Sequence, residues 1–337
     1  MKPRRRIAEL KNTMSRWLVN ISDTEVEVVR LVTPHNVNPI GTLYGGYMLQ
    51  WLVDAGTIAA MDFSESDAVL GYLDRMHFIA PVKVGDIVKF RAWIVHVRRS
   101  SMTALVEAYV KKPEGLSLAT IARAIFVKVG ADGRPLPVEK TLQTSNGWER
   151  SLWSYFSRWR EAVESELRRE PAAGDLPAIT QIQVMPEDAV YGGLMYGGRL
   201  LYYLDQIAAI AAFNYRPGIY VTASLNSINF KRPIYVGDII VVRGGVDYVG
   251  HTSLEVAFEV VARGLRGERR VAGGYFTFVN MSGGRPTPIG QELVKDADAL
   301  RRKSQNLAEA SALKAAVLYE DRPAYVSVLE GRQGGAL

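Results

Sequence analysis

The sequence repeats itself once. Gly45-Gly46 recurs as Gly197-Gly198, Phe78 as Phe230, and PVKVGDIV (Pro81–Val88) as PIYVGDII (Pro233–Ile240). Ser100-Ser101-Met102 recurs as Thr252-Ser253-Leu254, and Phe126-Val127 as Phe278-Val279. Every pair has the same offset, 152 positions, as from Gly45 to Gly197. A constant offset reports duplication, and this period is far longer than the roughly 20–50 residues of solenoid repeats. Each repeat is therefore expected to be a domain in its own right, and a chain of 337 residues has room for two.

Both repeats carry the same order of elements. A short strand (25–33; 178–185) precedes a loop and then a helix opened by the Gly pair (45–62; 197–214). Stretches with β-branched and aromatic alternation follow: 68–78, 87–98, 101–110 and 118–129, then 219–230, 239–249, 253–262 and 270–279. Val84-Gly85-Asp86 and Val236-Gly237-Asp238 read as turns that set up the next strand. One long helix beside about five antiparallel strands is α+β. Between the repeats, an amphipathic helix carries Leu152, Phe156, Trp159 and Val163 near one face, before a turn or linker at Pro171–Gly174. Residues 291–318 read as a charged, Ala-rich helix, and Gly331–Leu337 as a frayed end. The expected division is an N-terminal arm (1–20), a first domain (21–140), a linker helix (141–177), a second domain (178–290) and a C-terminal helix and tail (291–337).

Within the second helix, GGRLLYYLDQIAAIAAF, one carboxylate, Asp205, interrupts an apolar pattern, two turns after Gly198 at about 3.6 residues per turn. A carboxylate on an apolar face is costly to bury unless something pairs with it or uses it. A capping or salt-bridged Asp that reaches solvent is the alternative.

Composition narrows the chemistry. There are no cysteines, which excludes disulfides, thiolate metal sites and a cysteine nucleophile. The four histidines (His35, His77, His96, His251) show no metal-ligand spacing, so neither a metal nor a cofactor is expected. No G-x-S-x-G elbow, Walker motif or dinucleotide fingerprint occurs. The net charge of +6 suits an anionic partner. With no nucleic-acid motif in view, a phosphorylated small molecule is favoured over nucleic acid. The basic N-terminus lacks the apolar core of a secretory signal, and no run of 18 apolar residues could span a membrane. A cytoplasmic location is the expectation.

The chain resembles the double hotdog acyl-CoA thioesterases. The resemblance rests on HNVNPIGTLYGGYMLQWLVDAG (His35–Gly56), FIAPVKVGDIV (Phe78–Val88) and RRSSM (Arg98–Met102), with PEDAVYGGLMYGGRLLYYLDQIA (Pro186–Ala208), NFKRPIYVGDII (Asn229–Ile240) and GHTSLEV (Gly250–Val256) in the second repeat. It implies two tandem hotdog domains, each an antiparallel sheet wrapped around a central helix, paired into a pseudo-dimer. It further implies a homotrimer of such chains, an acyl-CoA substrate and a site between the paired domains. In that site a main-chain amide at the Gly-Gly start of one helix holds the thioester oxygen, and a carboxylate on the other domain's helix acts as base or nucleophile.

Carried over by the offset, the pattern is asymmetric. Asp205 stands opposite Val53, while Asp54 is one position late, about 100° around the helix. Thr42 and Asn38 stand opposite Leu194 and Val190. One competent site is expected from Asp205 with Gly46, Thr42 and Asn38, and a degenerate one from Asp54 and Gly198. The family often has Asn or Asp where Thr42 stands. Arg98, Arg99, Ser100 and Ser101 in one repeat, and Lys231, Arg232, His251, Thr252 and Ser253 in the other, are candidates for the phosphates. A solvated basic rim is the bland alternative. Tyr47, Trp51, Tyr202 and Tyr203 are candidate acyl walls or simply core. Two rival functions remain: a hotdog hydratase or dehydratase using His35, and an acyl-CoA sensor without turnover.

Overall fold

The computed structural model describes residues 17–113, 115–167, 176–290, 293–294 and 298–333. The basic run Lys2–Arg6, the Pro171–Gly174 linker and the last four positions lie outside them. The first repeat contains β1 (Leu18–Asn20), β2 (Val26–Leu31), α1 (Gly45–Ser64), β3 (Ala68–Leu73), β4 (Met76–His77), β5 (Ile87–Val97), β6 (Ser101–Lys112), β7 (Gly115–Lys128) and β8 (Thr141–Gln143). Helix α2 (Gly147–Leu167) leads to the second repeat: β9 (Ala178–Gln183), α3 (Gly197–Tyr215), β10 (Ile219–Leu225), β11 (Ile228–Asn229), β12 (Ile239–Val249), β13 (Ser253–Gly264) and β14 (Gly267–Ser282). The short strands β15 (Arg285–Pro286) and β16 (Leu293–Val294) precede helices α4 (Ala299–Lys314) and α5 (Tyr325–Gln333). Gly331, expected to fray, is part of α5.

The two main sheets run β11-β3-β7-β6-β5-β2 and β16-β12-β13-β14-β10-β4, with β9 also on β12 and β15 on β14. The stretches 68–78 and 219–230, each expected as one strand, both break. After the break the chain joins the other repeat's sheet. Ser224 pairs with His77 and Leu225 with Met76, while Ile228 pairs with Leu73 and Asn229 with Tyr72. A period of two reports which face a side chain takes, not which sheet its backbone joins.

Helices α1 and α3 are apolar nearly all round because each is enclosed twice, by its own sheet and by the other helix. Their residues share one core, with Leu49 and Leu52 beside Leu201 and Leu204. The Gly pairs make the crossing possible. A Cβ on Gly46 would stand 2.9 Å from the Tyr202 carbonyl oxygen, and one on Gly198 would stand 3.3 Å from that of Gln50. Gln50 and Tyr202 are equivalent positions, so each helix start rests on the middle of the other helix. The Val-Gly-Asp turns also have one cause in both repeats. Gly85 and Gly237 take φ of +85° and +87°, where a Cβ is disfavoured. Asp86 and Asp238 accept the N–H of Lys83 and Tyr235, each at 2.8 Å.

The outer face of the first sheet is covered by α2 and α5, which pack Leu152, Phe156 and Tyr325 on Trp93, Leu105 and Tyr109. This is why β6 and β7 are buried on both faces rather than alternately. Helix α5 was not expected from sequence. Its first turn is held by Glu107, which accepts the N–H groups of Ala324 and Tyr325 at 2.9 and 2.8 Å and the hydroxyl of Tyr109. A buried carboxylate there satisfies free helix-start amides and meets the positive end of the dipole. Among the described residues no helix is long and apolar enough to cross a membrane.

Candidate active site

Asp205 lies in the third turn of α3 and is fully buried. Its Oδ2 accepts the N–H of Gly46 at 2.9 Å, and its Oδ1 accepts the hydroxyl of Thr222, on β10, at 2.7 Å. The carboxylate of the second repeat thus meets the start of the first repeat's helix. Burial pushes its pKa up from 3.8 to about 6, against the lowering effect of the Thr222 and Gly46 hydrogen bonds. Glycine at position 45 is required for the approach. A Cβ there would stand 2.4 Å from Thr222 Oγ1 and 2.8 Å from Asp205 Oδ1.

A cavity of about 380 Å³ opens beside this cluster. Asn38, Thr42, Gly45 and Thr222 contribute its polar wall, and Ile40, Met48, Phe78, Val221 and Val279 its apolar wall. Asp205 stands one layer behind, screened from the space by Gly45 and Thr222. Asn38 shapes the loop. Its Oδ1 accepts the N–H groups of Ile40 and Thr42 at 3.1 and 3.2 Å, and its Nδ2 donates to Thr42 Oγ1 at 2.8 Å. Thr42 is therefore an acceptor towards Asn38 and keeps its own proton to donate.

Two sequence expectations change in detail. The Gly46 amide, expected as the oxyanion donor, is engaged by Asp205. The neighbouring Gly45, at the start of the helix, lines the cavity, and its N–H donates to no acceptor among the described residues. Tyr47 and Tyr202 meet in a tilted contact, 4.9 Å between centroids, and Trp51 packs edge-on against Phe90. None of these rings, nor that of Tyr203, is on the cavity wall.

Thr222 escaped the sequence reading. The signal was present, because the offset puts it opposite Leu70. That is the same polar-to-apolar asymmetry as Thr42 with Leu194. Tyr44, the residue before the Gly pair, was also missed. Burial, then the Asp205 charge, keep its hydroxyl protonated by pushing its pKa up.

Asp54 points elsewhere. It accepts the Tyr196 hydroxyl at 2.7 Å and a guanidinium nitrogen of Arg30 at 3.5 Å, and burial raises its pKa against both. It is not brought to Gly198. The phosphate candidates divide among three places. Lys231 and Arg232 line a second cavity of about 290 Å³, not the one beside Asp205. In the β5–β6 hairpin, Arg98 pairs with Glu164, Ser101 Oγ accepts from Arg160 at 3.2 Å, the Ser100 carbonyl takes the Lys128 N–H at 3.0 Å, and Arg99 is exposed. In the equivalent β12–β13 hairpin His251 is exposed and Thr252 half-buried, and Ser253 lines a third chamber of about 300 Å³ under α4, with Lys303 and Lys314. That chamber shares Phe78, Ala223 and Val279 with the Asp205 cavity, so the two adjoin.

The family model of the thioesterase superfamily matches residues 40–117 and again 192–267. The cytosolic acyl coenzyme A thioester hydrolase of Mus musculus is 24% identical over 310 residues, covering 82% of this chain and 80% of that protein. The acyl-CoA thioester hydrolase YciA of Salmonella typhimurium is 33% identical over 127 residues, which is 36% of this chain and 96% of that protein. Among solved structures, an acyl-ACP thioesterase from Bacteroides thetaiotaomicron superposes with a TM-score of 0.52 at 12% identity, over 77% of this chain and 100% of that one, a likeness of fold.

Proposed function

The chain belongs to the thioesterase superfamily as a tandem hotdog protein, and from that membership we propose that it hydrolyses acyl-CoA to a free fatty acid and CoA. The observation that carries this reading is a buried carboxylate one hydroxyl away from a largely apolar cavity. In this reading a water in the cavity attacks the thioester carbon. Its proton passes to Thr222 Oγ1 as the Thr222 proton passes to Asp205 Oδ1. The developing oxyanion takes the Gly45 N–H and the second Nδ2 hydrogen of Asn38, donors of two residues on a largely apolar wall, where low polarity strengthens them. Collapse expels the thiolate, and the proton held on Asp205 returns through Thr222 to the leaving group. The position of Asp205 behind the wall favours this water route over direct attack by the carboxylate. Gly46 is then a positioning residue, holding Asp205 in line.

The acyl chain would lie among Ile40, Met48, Phe78 and Val221. The anionic carrier would lie in the adjoining chamber, where Lys303 and Lys314 of α4 supply positive charge beside Ser253. The hydratase alternative is not favoured: His35 is exposed, bonded to the Tyr47 hydroxyl at 2.8 Å, and off the cavity wall. The mammalian relatives are named cytosolic, which supports a cytoplasmic location. The test is thiol release from acyl-CoAs of short, medium and long chain. Hydrolysis should be seen with at least one chain length and fall at least 100-fold in Asp205→Asn. Thermal stabilisation by acyl-CoA without thiol release would make the protein a sensor and overturn the proposal.

A further inference from the structure

The duplication leaves two equivalent cavities, one in each repeat's version of the site, and the second is as informative as the first. The 152-residue offset maps the wall of the Asp205 cavity onto that of the 290 Å³ cavity almost residue by residue. Gly45 maps to Gly197, Met48 to Leu200, Phe78 to Phe230 and Val279 to Val127, all of which line their own space. Every polar group of the catalytic cluster is replaced by an apolar one. Asn38 becomes Val190, Thr42 becomes Leu194, Thr222 becomes Leu70 and Asp205 becomes Val53. The space has nevertheless not collapsed. Apolar replacements alone would let the walls close, since close packing is the favoured state of an interior.

Charge has moved in the opposite direction. At the positions of Ile79 and Ala80 the second cavity carries Lys231 and Arg232, both on its wall. Lys231 is half-buried and Arg232 exposed, which puts the cations at the mouth and the aliphatic groups inside. Among the described residues, the positions equivalent to the outer chamber's wall at Ser224 and Thr277 are Tyr72 and Ile125. This region is filled by α2, whose Val163 packs on Tyr72 and Ile125, while Trp159 donates to Asp74 at 3.0 Å. A bulky carrier would therefore meet α2 here, where the Asp205 side has its chamber under α4.

We propose that this cavity is a non-hydrolytic binding site for an aliphatic carboxylate, with the chain among Leu70, Leu194 and Leu200 and the carboxylate at Lys231 and Arg232. Such a ligand is the kind of acid that thioester hydrolysis releases. That link rests on the proposed function, whereas binding itself does not. The shape is that of a ligand pocket, an apolar concavity with a few convergent polar groups.

Equilibrium binding of decanoate and of uncharged decanol, by titration calorimetry, tests this on the full chain. Val190→Trp fills the half-buried wall of the second cavity, and Arg232→Glu reverses an exposed charge at its mouth without touching packing. The wild type should bind decanoate at a site that Val190→Trp weakens at least ten-fold. Arg232→Glu should weaken decanoate at that site to a similar degree and leave decanol within two-fold. Turnover of acyl-CoA by Val190→Trp should stay within two-fold of the wild type. Decanoate binding unchanged in both variants, or none in the wild type, overturns the proposal. Failure of the wild type to release thiol, with Val190-dependent decanoate binding intact, would sink the hydrolase reading and leave this one standing.

Discussion

Asp205 has two properties that pull against each other. Complete burial favours its neutral form, yet a base must be ionised. With the folded-state pKa raised from 3.8 to about 6, its contribution to stability is fully present below about pH 4 and is lost as pH rises through about 6. Above that, keeping the ionised form buried costs on the order of 3 kcal/mol, at about 1.4 kcal/mol per unit. Asn in its place can still accept from Gly46 and donate to Thr222. Asp205→Asn should therefore melt a few degrees above the wild type at pH 8 and level with it at pH 4, by calorimetry, while losing turnover. The same ionisation should give kcat/KM an acidic limb that falls below about pH 6. Thr222→Val would remove the proton path and should lower kcat at least ten-fold with little change in KM, with Thr222→Ser restoring most of it. Asp205 was legible in the sequence because a carboxylate in an apolar helix face is costly, and Asn38 because the offset set it against a valine. Thr222 carried the same signal, set by the offset against Leu70, but a threonine in a strand draws no notice until its partner is known.

At the scale of elements, the Gly pair does different work in its two positions. Gly46 lets two helices touch, and Gly45 lets a carboxylate reach a hydroxyl. Gly45→Ala should fold, since alanine is the better helix former. Its methyl would still push Thr222 and Asp205 apart, so we expect at least a ten-fold loss of kcat, read in the same thiol assay. The repeated Gly-Gly helices and Val-Gly-Asp turns could be read from the chain because each has a local cause. The crossed strands β4 and β11 could not, since strand alternation carries no information on the partner sheet. Helix α5 was missed for a related reason: its start is stabilised by Glu107, which is distant in sequence. Glu107→Ala would leave the Ala324 and Tyr325 amides buried without acceptors, at about 1–3 kcal/mol each. Hydrogen exchange at 324–333 should quicken well before the rest of the chain is affected.

For the molecule as a whole, duplication has let two formerly equivalent sites diverge. The positions around Asp205 hold the polar groups, and their equivalents are apolar. The fold leaves apolar surface open. The edge strands expose Val29 and Leu31 on β2 and Ile179 on β9, and α3 exposes Ile210 and Phe213. We propose a homotrimer, and light scattering should give about 112 kDa, three times 37.3 kDa, rather than a single chain. In the proposed mechanism one carboxylate of two carries the reaction. Thiol release under saturating acyl-CoA, compared between Asp205→Asn and Asp54→Asn, measures it directly. The account predicts a loss of at least 100-fold in the first and a rate within about two-fold of the wild type in the second. Equal losses in the two variants, or a larger loss on changing Asp54, would contradict it.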